Sequence, residues 1–443
     1  MSRGLAIWMN GELVGTWSVD RGSHRLTYDK TWLDSPKRRS LSLSLPITSA
    51  LEIRGPVVAN YFDNLLPDNE KIRERIARRF KTKSSGVFEL LQAVGRDCVG
   101  AVQLLPVGAL PQGWDEITGE PLSEHQVAEV LRATPSQALL GQTQDDDLIR
   151  ISLAGAQEKT ALLFTNMRWH RPLGATPTTH ILKLPLGLVG GSRRVDLADS
   201  IENEWLCAQI LYYLQLPVAT TEMWRFEDQK ALVVTRFDRS RQVGERGQEW
   251  IARLPQEDFC QALGYPPGKK YEKDGGPGIA DCMRLLAGSS DDADRQSFAL
   301  SQLAFWLMGA TDGHAKNFSI FLARADAYIT TPLYDVLSIF PYVGDGANQY
   351  RWRKVGPAMA LRSKNVHWHF YDTLPRHWHA LAMKVGGPLV WDAMVQLVQR
   401  VEPALDQIAS TLPQDFPLRT WETISQGVRS QAARFLGGLA GLA

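Results

Sequence analysis

SFALSQLAFWLMGATDGHAKNFSIFLA, residues 297–323, changes character twice along its length. The first part is apolar at helical spacing and reads as a buried helix. The last part, FSIFLA, is a short β-type run. Between them lies the polar loop Thr311-Asp312-Gly313-His314-Ala315-Lys316-Asn317. The spacing that matters is Asp312 to Asn317, five residues on. A second acidic signal, Pro332-Leu333-Tyr334-Asp335, follows after a turn. In this order Asn317 and Asp335 supply two hard oxygens for a divalent cation while Asp312 faces a nucleophile. An Asp with an Asn five positions on occurs by chance about once in a chain of this size, so the rest of the chain must supply the context.

The chain has 443 residues, with 49 Lys plus Arg against 48 Asp plus Glu and a formal net charge of +1. That balance excludes a whole-chain attraction to nucleic acid and leaves only local patches for the purpose. A hydrophobic content of 44% is an ordinary core-forming composition, which excludes disorder as the dominant state. At roughly 150 residues per domain, the length suggests about two or three domains. Cys98, Cys207, Cys260 and Cys282 lie far apart with no CxxC spacing. Neither a zinc ribbon nor a disulfide scaffold is indicated, and a reducing compartment fits. No apolar run reaches the roughly 20 residues of a membrane span. MSRGLAIWMNGELVG lacks the apolar stretch of a signal peptide, so a cytoplasmic location is expected.

Residues 5–28 read as a β-hairpin turning at Asn10-Gly11, a favoured two-residue turn pair. Residues 57–80 take helical spacing and include the basic run KIRERIARRFK, read as a solvated face with contact to an acidic partner as the sharper alternative. A Pro- and Gly-rich stretch at 108–119, a helix over 122–142 and the acidic run at 145–147 place a boundary near 140–150. β-rich pieces follow at 148–164, 180–186 and 229–237, with one long helix over 197–214. Beyond residue 248 the period is mainly helical, and Pro255 with Glu257 and Asp258 marks a first helical turn. The expected organisation is an N-terminal α/β subdomain over 1–147, a β-rich nucleotide-binding lobe over 148–247 and a mainly helical catalytic lobe over 248–443. The fold class expected is α+β, a protein-kinase-like bilobal fold with a small β-rich lobe and a large helical lobe.

The context that Asp312 needs lies upstream. Lys183, on the alternating strand THILKLP, can bring an ammonium to the α/β-phosphates of a nucleotide. It is preceded by the small-residue loop Ser152-Leu-Ala-Gly-Ala-Gln-Glu-Lys159, in which Gly155 between Ala154 and Ala156 lets backbone N–H groups approach phosphate oxygens. Loop, strand lysine, helix, strand, catalytic loop and metal Asp come in protein-kinase order, although the loop lacks the glycines of G-x-G-x-x-G. Glu204, on the helix between the strands, occupies the place where kinases put the partner of the strand lysine, with a plain surface glutamate as the alternative. His367, His369, His377 and His379 fall within thirteen residues, but the pairs sit at i, i+2, which do not share a helix face, so they read as solvated or core histidines.

Longer motifs add a resemblance. LSLSLP (41–46), NYFDNLLPD (60–68), GRDCVGAVQLLP (95–106), AGAQEKTALL (154–163), TPTTHILKLP (176–185), RFDR (236–239), LPQEDFCQALG (254–264), DGGPGIA (274–280), GATDGHAKNFSIF (309–321) and YDVLS (334–338) closely resemble the HipA family of bacterial serine/threonine kinase toxins, nearly end to end. The resemblance implies that Asp312 is the catalytic base, that Asn317 and Asp335 bind Mg²⁺, and that Lys183 contacts ATP. It implies that Ala154, Gly155, Ala156, Gln157, Glu158 and Lys159 form the phosphate loop. It places Thr235, Arg236 and Phe237 at the hinge whose backbone meets adenine. His314, Ala315, Lys316, Asn317, Tyr334 and Asp335 belong to the nucleotide-contacting stretches by the same match. Ser152 matches the serine on which the family phosphorylates itself, and a phosphate there adds about −2 charge beside the ATP phosphates.

The same resemblance implies a serine/threonine protein kinase acting as the toxin of a toxin–antitoxin pair, with glutamyl-tRNA synthetase as substrate. Its action would inhibit translation and favour dormancy. A HipB-like helix-turn-helix dimer is the implied antitoxin. Lys384 matches the first of a basic pair that touches DNA in the family, but Gly386 and Gly387 occupy the region of the second, so operator DNA is expected mainly through the antitoxin. The glycine-rich segment 187–196 is expected to be a mobile loop. Two other readings remain: a catalytically silent, nucleotide-binding co-repressor, against which the intact Lys183, Asp312, Asn317 and Asp335 set argues, and a small-molecule kinase with the same machinery.

Overall fold

A computed structural model describes residues 3–135, 152–155, 157–189 and 194–441. The chain divides into two compact units: Met1–Leu184 with Trp224–Gly268 and Ser319–Tyr328, and Pro185–Met223 with Lys269–Phe318 and Ile329–Ala443.

The first unit begins with the expected hairpin. Strand Arg3–Met9 turns at Asn10 (φ 45°) and Gly11 (φ 82°) into Glu12–Asp20. Positive φ at both turn positions matches the right-handed twist of the strands, which is why Asn-Gly serves there. Ser23–Tyr28, Glu52–Arg54 and Gln103–Pro106 complete a five-stranded antiparallel sheet. Strand alternation places Leu5, Ile7, Trp17 and Leu26 in one core with helices Pro56–Asp63 and Val87–Val94. Trp17 is fully buried and stacks on Phe62 at 4.0 Å, with Phe88 tilted against it at 4.9 Å. The helical spacing over 57–80 is realised as two helices, Pro56–Asp63 and Glu70–Arg79. Pro67 disfavours helical dihedrals at Leu66, and Asn69 restarts the helix by accepting from the Lys71 N–H.

A six-stranded sheet follows, in the order Thr221–Phe226, Gln229–Thr235, His180–Lys183, Lys159–Thr165, Arg168–Pro172, Gly119–Pro121. The three expected β-rich pieces contribute the second, third and fourth of these. The strand Arg168–Pro172 escaped the sequence reading because RWHRP has no apolar alternation. Helix Glu124–Ala133, started by a Ser123/Gln126 capping box, packs Val127, Ala128 and Leu131 onto Leu162, Leu182 and Val233. The expected helix over 122–142 is observed over that shorter span. Its end and the boundary near 140–150 fall largely outside the described residues.

The expectation of mainly helical structure beyond residue 248 fails at its start. Glu249–Arg253 pairs with Arg239–Val243, and Gln256–Asp258 pairs with Ser319–Leu322. Pro255 therefore precedes a strand, because long-range pairing overrides local propensity there. The helical turn begins only at Phe259, where Asp258 and Gln261 cap each other's backbone N–H groups.

The second unit is helical in its bulk. Asp294–Met308 is buried on nearly every side among helices Pro375–Val385, Pro388–Gln399 and Leu418–Gly437. Beyond its polar first turn it is mainly apolar around its circumference rather than striped, with Ser301 and Gln302 buried among the apolar residues. Trp306 anchors it, donating from Nε1 to the Phe370 carbonyl at 3.1 Å, and Gln431 donates to the Trp306 carbonyl at 3.2 Å. The long helix read over 197–214 is Ser200–Tyr213. The two ends of the segment 187–196 are not loop: Gly187–Val189 pairs antiparallel with Val195–Leu197, and residues 190–193 lie outside the described residues. Among the described residues all four cysteines are free and buried, and no helix is long and apolar enough to cross a membrane.

Candidate active site

In the second unit, Asp294–Met308 ends at Gly309 in the left-handed region (φ 62°), and the chain enters the polar loop. The loop is tied across itself: the His314 N–H donates to the Asp312 carbonyl at 2.8 Å, and the Asn317 N–H donates to the His314 carbonyl at 2.9 Å. The Asn317 side chain closes the ring by donating from Nδ2 to the Asp312 carbonyl at 2.7 Å. An amide whose NH₂ is committed in this way presents its Oδ1 elsewhere, as an acceptor. Gly313 is required by space, since a Cβ there would sit 2.5 Å from the Phe305 ring. His314 is buried, with Nε2 3.8 Å from Asp312 Oδ1, whereas the Asp312 side chain is 48% exposed. The carboxylate thus stands at the surface of a loop whose backbone is fixed from below.

The segment Tyr334–Ser338 is held as firmly. The Tyr334 hydroxyl donates to the Lys316 carbonyl at 2.8 Å, which joins it to the Asp312 loop. Asp335 lies in the left-handed region (φ 61°), an uncommon conformation for a non-glycine residue and one that recurs at functional sites. Three residues on, Asn203 from helix Ser200–Tyr213 grips Ser338 with both ends of its amide, accepting from the Ser338 N–H and donating to the Ser338 carbonyl, each at 2.8 Å. The Ser338 hydroxyl donates to the Met308 carbonyl at 2.7 Å. The structure therefore brings Asp312, His314, Lys316, Asn317 and Tyr334 into one bonded group, with Asp335 next in sequence. Asn203 and Ser338, which sequence reasoning missed, fix its far end. Glu204, beside Asn203, is buried in this unit, while Lys183 belongs to the other.

In the first unit the loop before Lys159 is stitched to the N-terminal sheet domain. Ser152 is 1% exposed; its hydroxyl donates to the Leu65 carbonyl at 2.7 Å and its N–H to the Asp97 carbonyl at 3.1 Å. Gly155, at φ 106°, bridges to Pro67, and the Asp68 N–H donates to its carbonyl at 3.1 Å. Only glycine takes that dihedral without strain. Glu158 is paired with Arg75 of the basic helix, and Gln157 donates to the Leu184 carbonyl at 2.6 Å. Ala154 lies in the described loop; Ala156 lies outside the described residues. Lys159 and Lys183 are register partners on neighbouring antiparallel strands. Directly opposed residues share a face of the sheet, so the two lysines stand side by side.

The expected hinge is anchored by charge. Thr235 is exposed and Phe237 packs edge-on to Phe321. Arg236, between them, is buried: its N–H donates to the Thr179 carbonyl at 2.9 Å, and its guanidinium reaches Asp238, Asp97, Thr178 and the Cys98 carbonyl. Arg239 and Arg253 join the same cluster through Asp97 Oδ1, at 3.0 and 3.1 Å. Burial pushes the Asp97 carboxyl up, but the guanidiniums of Arg239, Arg253 and Arg236 outweigh it and hold the group far below the usual carboxylate range. Nothing in the sequence announces this cluster, because Asp97 lies 139 residues from Arg236.

Two of the clustered histidines pack on each other. His367 and His377 stack at 3.6 Å between ring centroids, and His377 is held down at about 4, first by burial and then by His367 and Arg376. Among the described residues no group of three or more His, Cys, Asp or Glu side chains is placed to hold a metal ion.

The arrangement is that of an α+β, kinase-like protein, and known proteins bear this out. Residues 5–105 match the HipA N-terminal domain and residues 151–415 the HipA-like C-terminal domain. The chain is 32% identical over 413 residues to the candidate kinase Y4mE of Sinorhizobium fredii, covering 92% of each protein. It is 26% identical over 354 residues to the serine/threonine-protein kinase toxin HipA of Shewanella oneidensis, covering 74% of each. The solved complex of Shewanella HipA with HipB and operator DNA superposes with a TM-score of 0.79 over 99% of this chain and 98% of that one, at 22% identity, which shows the shared fold. The chain belongs to the HipA family.

Proposed function

We propose that this chain is an ATP- and Mg²⁺-dependent protein serine/threonine kinase that serves as the toxin of a toxin–antitoxin pair. The observation that carries the reading is the Asn317 amide bonded to the Asp312 carbonyl at 2.7 Å. That bond makes a carboxylate and a hard oxygen donor parts of one rigid loop, as phosphoryl transfer by positioning requires.

The residues present suit the divalent ion. Asn317 and Asp335 would hold it through oxygen donors of the kind Mg²⁺ selects, and it would supply charge neutralisation for nucleotide phosphates. Asp312 accepts the proton of the acceptor hydroxyl. Lys183 and Lys159 supply paired positive charge for phosphate oxygens, and Gly155 keeps the loop backbone open to them. The exposed Thr235 and the following Arg236 and Phe237 form the segment toward which adenine docks. In a buried, bonded Ser152 the self-phosphorylation target is protected, so modification requires the loop to leave its seat on Leu65.

By kinship with the Shewanella toxin, the partner is a HipB-like helix-turn-helix dimer, with operator DNA held mainly through it. The protein substrate we propose is glutamyl-tRNA synthetase, in the cytoplasm. Intact-mass spectrometry before and after incubation with ATP and Mg²⁺ tests the core of this reading. One phosphate should be gained, map to Ser152 and be absent from Asp312→Ala. Equal gain in Asp312→Ala would remove Asp312 from the role of base. No gain from an unphosphorylated sample, on itself or on glutamyl-tRNA synthetase, would favour a silent co-repressor.

A further inference from the structure

Tyr271 lies within Lys269-Lys270-Tyr271-Glu272-Lys273, a stretch that carries no recognised motif role. Its backbone is fixed on both sides within the second unit. The Lys270 carbonyl accepts from the Ala315 N–H of the Asp312 loop at 3.3 Å, and the Gly276 N–H donates to the Tyr271 carbonyl at 3.0 Å. Glu272, the next residue, accepts from the Ala360 N–H at 2.6 Å and pairs with Arg362. The ring is also fixed: it meets the His314 imidazole edge to face at 4.9 Å, and the Lys270 and Lys273 ammoniums each stand 5.4 Å from its centroid. From this seat the phenol donates a hydrogen bond to Asp312 Oδ1. His314 Nε2 lies 3.8 Å from the same oxygen.

An exposed carboxylate has a broad, roughly two-fold terminal torsion and would otherwise sample many orientations. With Oδ1 engaged by Tyr271 and flanked by His314, Oδ2 is the oxygen left to meet an incoming hydroxyl. We propose that Tyr271 is a positioning residue for phosphoryl transfer: by holding Oδ1 it aims Oδ2 of Asp312 at the acceptor. The inference rests on the kinase reading above. In the step it serves, the acceptor oxygen forms a bond to the γ-phosphorus as the bond to the β–γ bridging oxygen breaks. The acceptor proton passes to Asp312 Oδ2 and ADP leaves with the bridging oxygen. Tyr271 keeps its own proton throughout. The nearby ammoniums favour a strong phenol donor by drawing electron density from the ring.

Tyr271→Phe removes one oxygen and keeps the ring contacts to His314 and the lysines. The test measures γ-phosphate transfer from labelled ATP onto protein, ATP hydrolysis in the same samples, and thermal melting. Loss of a hydrogen bond to a charged group corresponds to a fall in kcat of roughly tenfold to hundredfold. The KM for ATP and the melting temperature should stay at wild-type values. ATP hydrolysed per phosphate transferred should rise, because a carboxylate that wanders no longer selects the acceptor over water; a merely structural role would not move that ratio. Wild-type kcat and ratio in Tyr271→Phe, beside an active wild type, would overturn the positioning role alone. A raised KM with a lowered melting temperature would likewise assign Tyr271 to packing instead. A wild type that turns over nothing would overturn the kinase reading, and this inference with it.

Discussion

Replacing Asp97 by asparagine keeps the shape of the side chain and removes one charge from the interior of the first unit. Asp97 Oδ2 accepts from the Thr178 N–H at 3.1 Å and the Thr178 hydroxyl at 2.7 Å, with Arg236 at 3.3 Å, while Oδ1 takes Arg239 and Arg253. In the native cluster two carboxylates, Asp97 and Asp238, face three guanidiniums, all of them buried. Asp97→Asn leaves one carboxylate against three. Removing one partner from a buried pair costs about 3–5 kcal/mol, because the other charge stays in a low-dielectric site. For a unit of this size that corresponds to a fall in melting temperature of about 6–20 °C. Differential scanning calorimetry at neutral pH reads it directly. The folded Asp97 carboxyl titrates below its unfolded value, so its stabilisation is complete above the unfolded pKa, about 3.9, and is lost as pH falls below it. The gap between wild type and variant should therefore narrow in acid. A loss below about 1 kcal/mol at neutral pH would refute the reasoning, and would mean that the arginines reach water when Asp97 is neutralised.

Two further outcomes are expected. Glu257 is pushed up to about 8 by burial, with Asp258 and Asp326 adding to the shift against hydrogen bonds from Leu43 and Ser42. Its folded pKa exceeds its unfolded one, so the stability it contributes is complete in acid and is lost as pH rises toward 8. Denaturant titrations at pH 5 and pH 8 should show Glu257→Gln losing less stability across that interval than wild type, by an amount on the order of a few kcal/mol, and equal slopes would contradict the buried neutral acid. Asp335→Ala should abolish the Mg²⁺ dependence of ATP binding in calorimetric titrations, while Asp312→Ala should bind MgATP close to wild type; the reverse pattern would exchange the two roles.

What was legible in the sequence was local or repetitive. Asn10-Gly11 sets its own turn, and Asp312 and Asn317 are near enough along the chain for one loop to join them. The strands with apolar alternation, such as Gln229–Thr235, were read. RWHRP was not, because its one buried apolar residue, Trp169, sits among charged neighbours and makes no alternation, although the strand pairs with Lys159–Thr165 just before it. The ends of segment 187–196 pair despite their glycines, since three backbone-paired positions need no apolar pattern. Long-range polar ties leave no local trace either. Asn203 meets Ser338 across 135 residues and Tyr271 meets Asp312 across 41, and each partner alone is an ordinary polar side chain.

The first unit is assembled from three separate lengths of chain, and this bears on heredity as well as stability. Asp97 falls inside the segment matched by the N-terminal family and Arg236, Arg239 and Arg253 inside the segment matched by the C-terminal one. The boundary between the two families is therefore not a seam along which the protein comes apart. A recombination event that exchanged the first hundred residues with a distant relative would keep three buried cations with Asp238 and depend on the donor for the second carboxylate. In this chain the two halves of the ion cluster come from both family segments, so neither half balances its charge without the other.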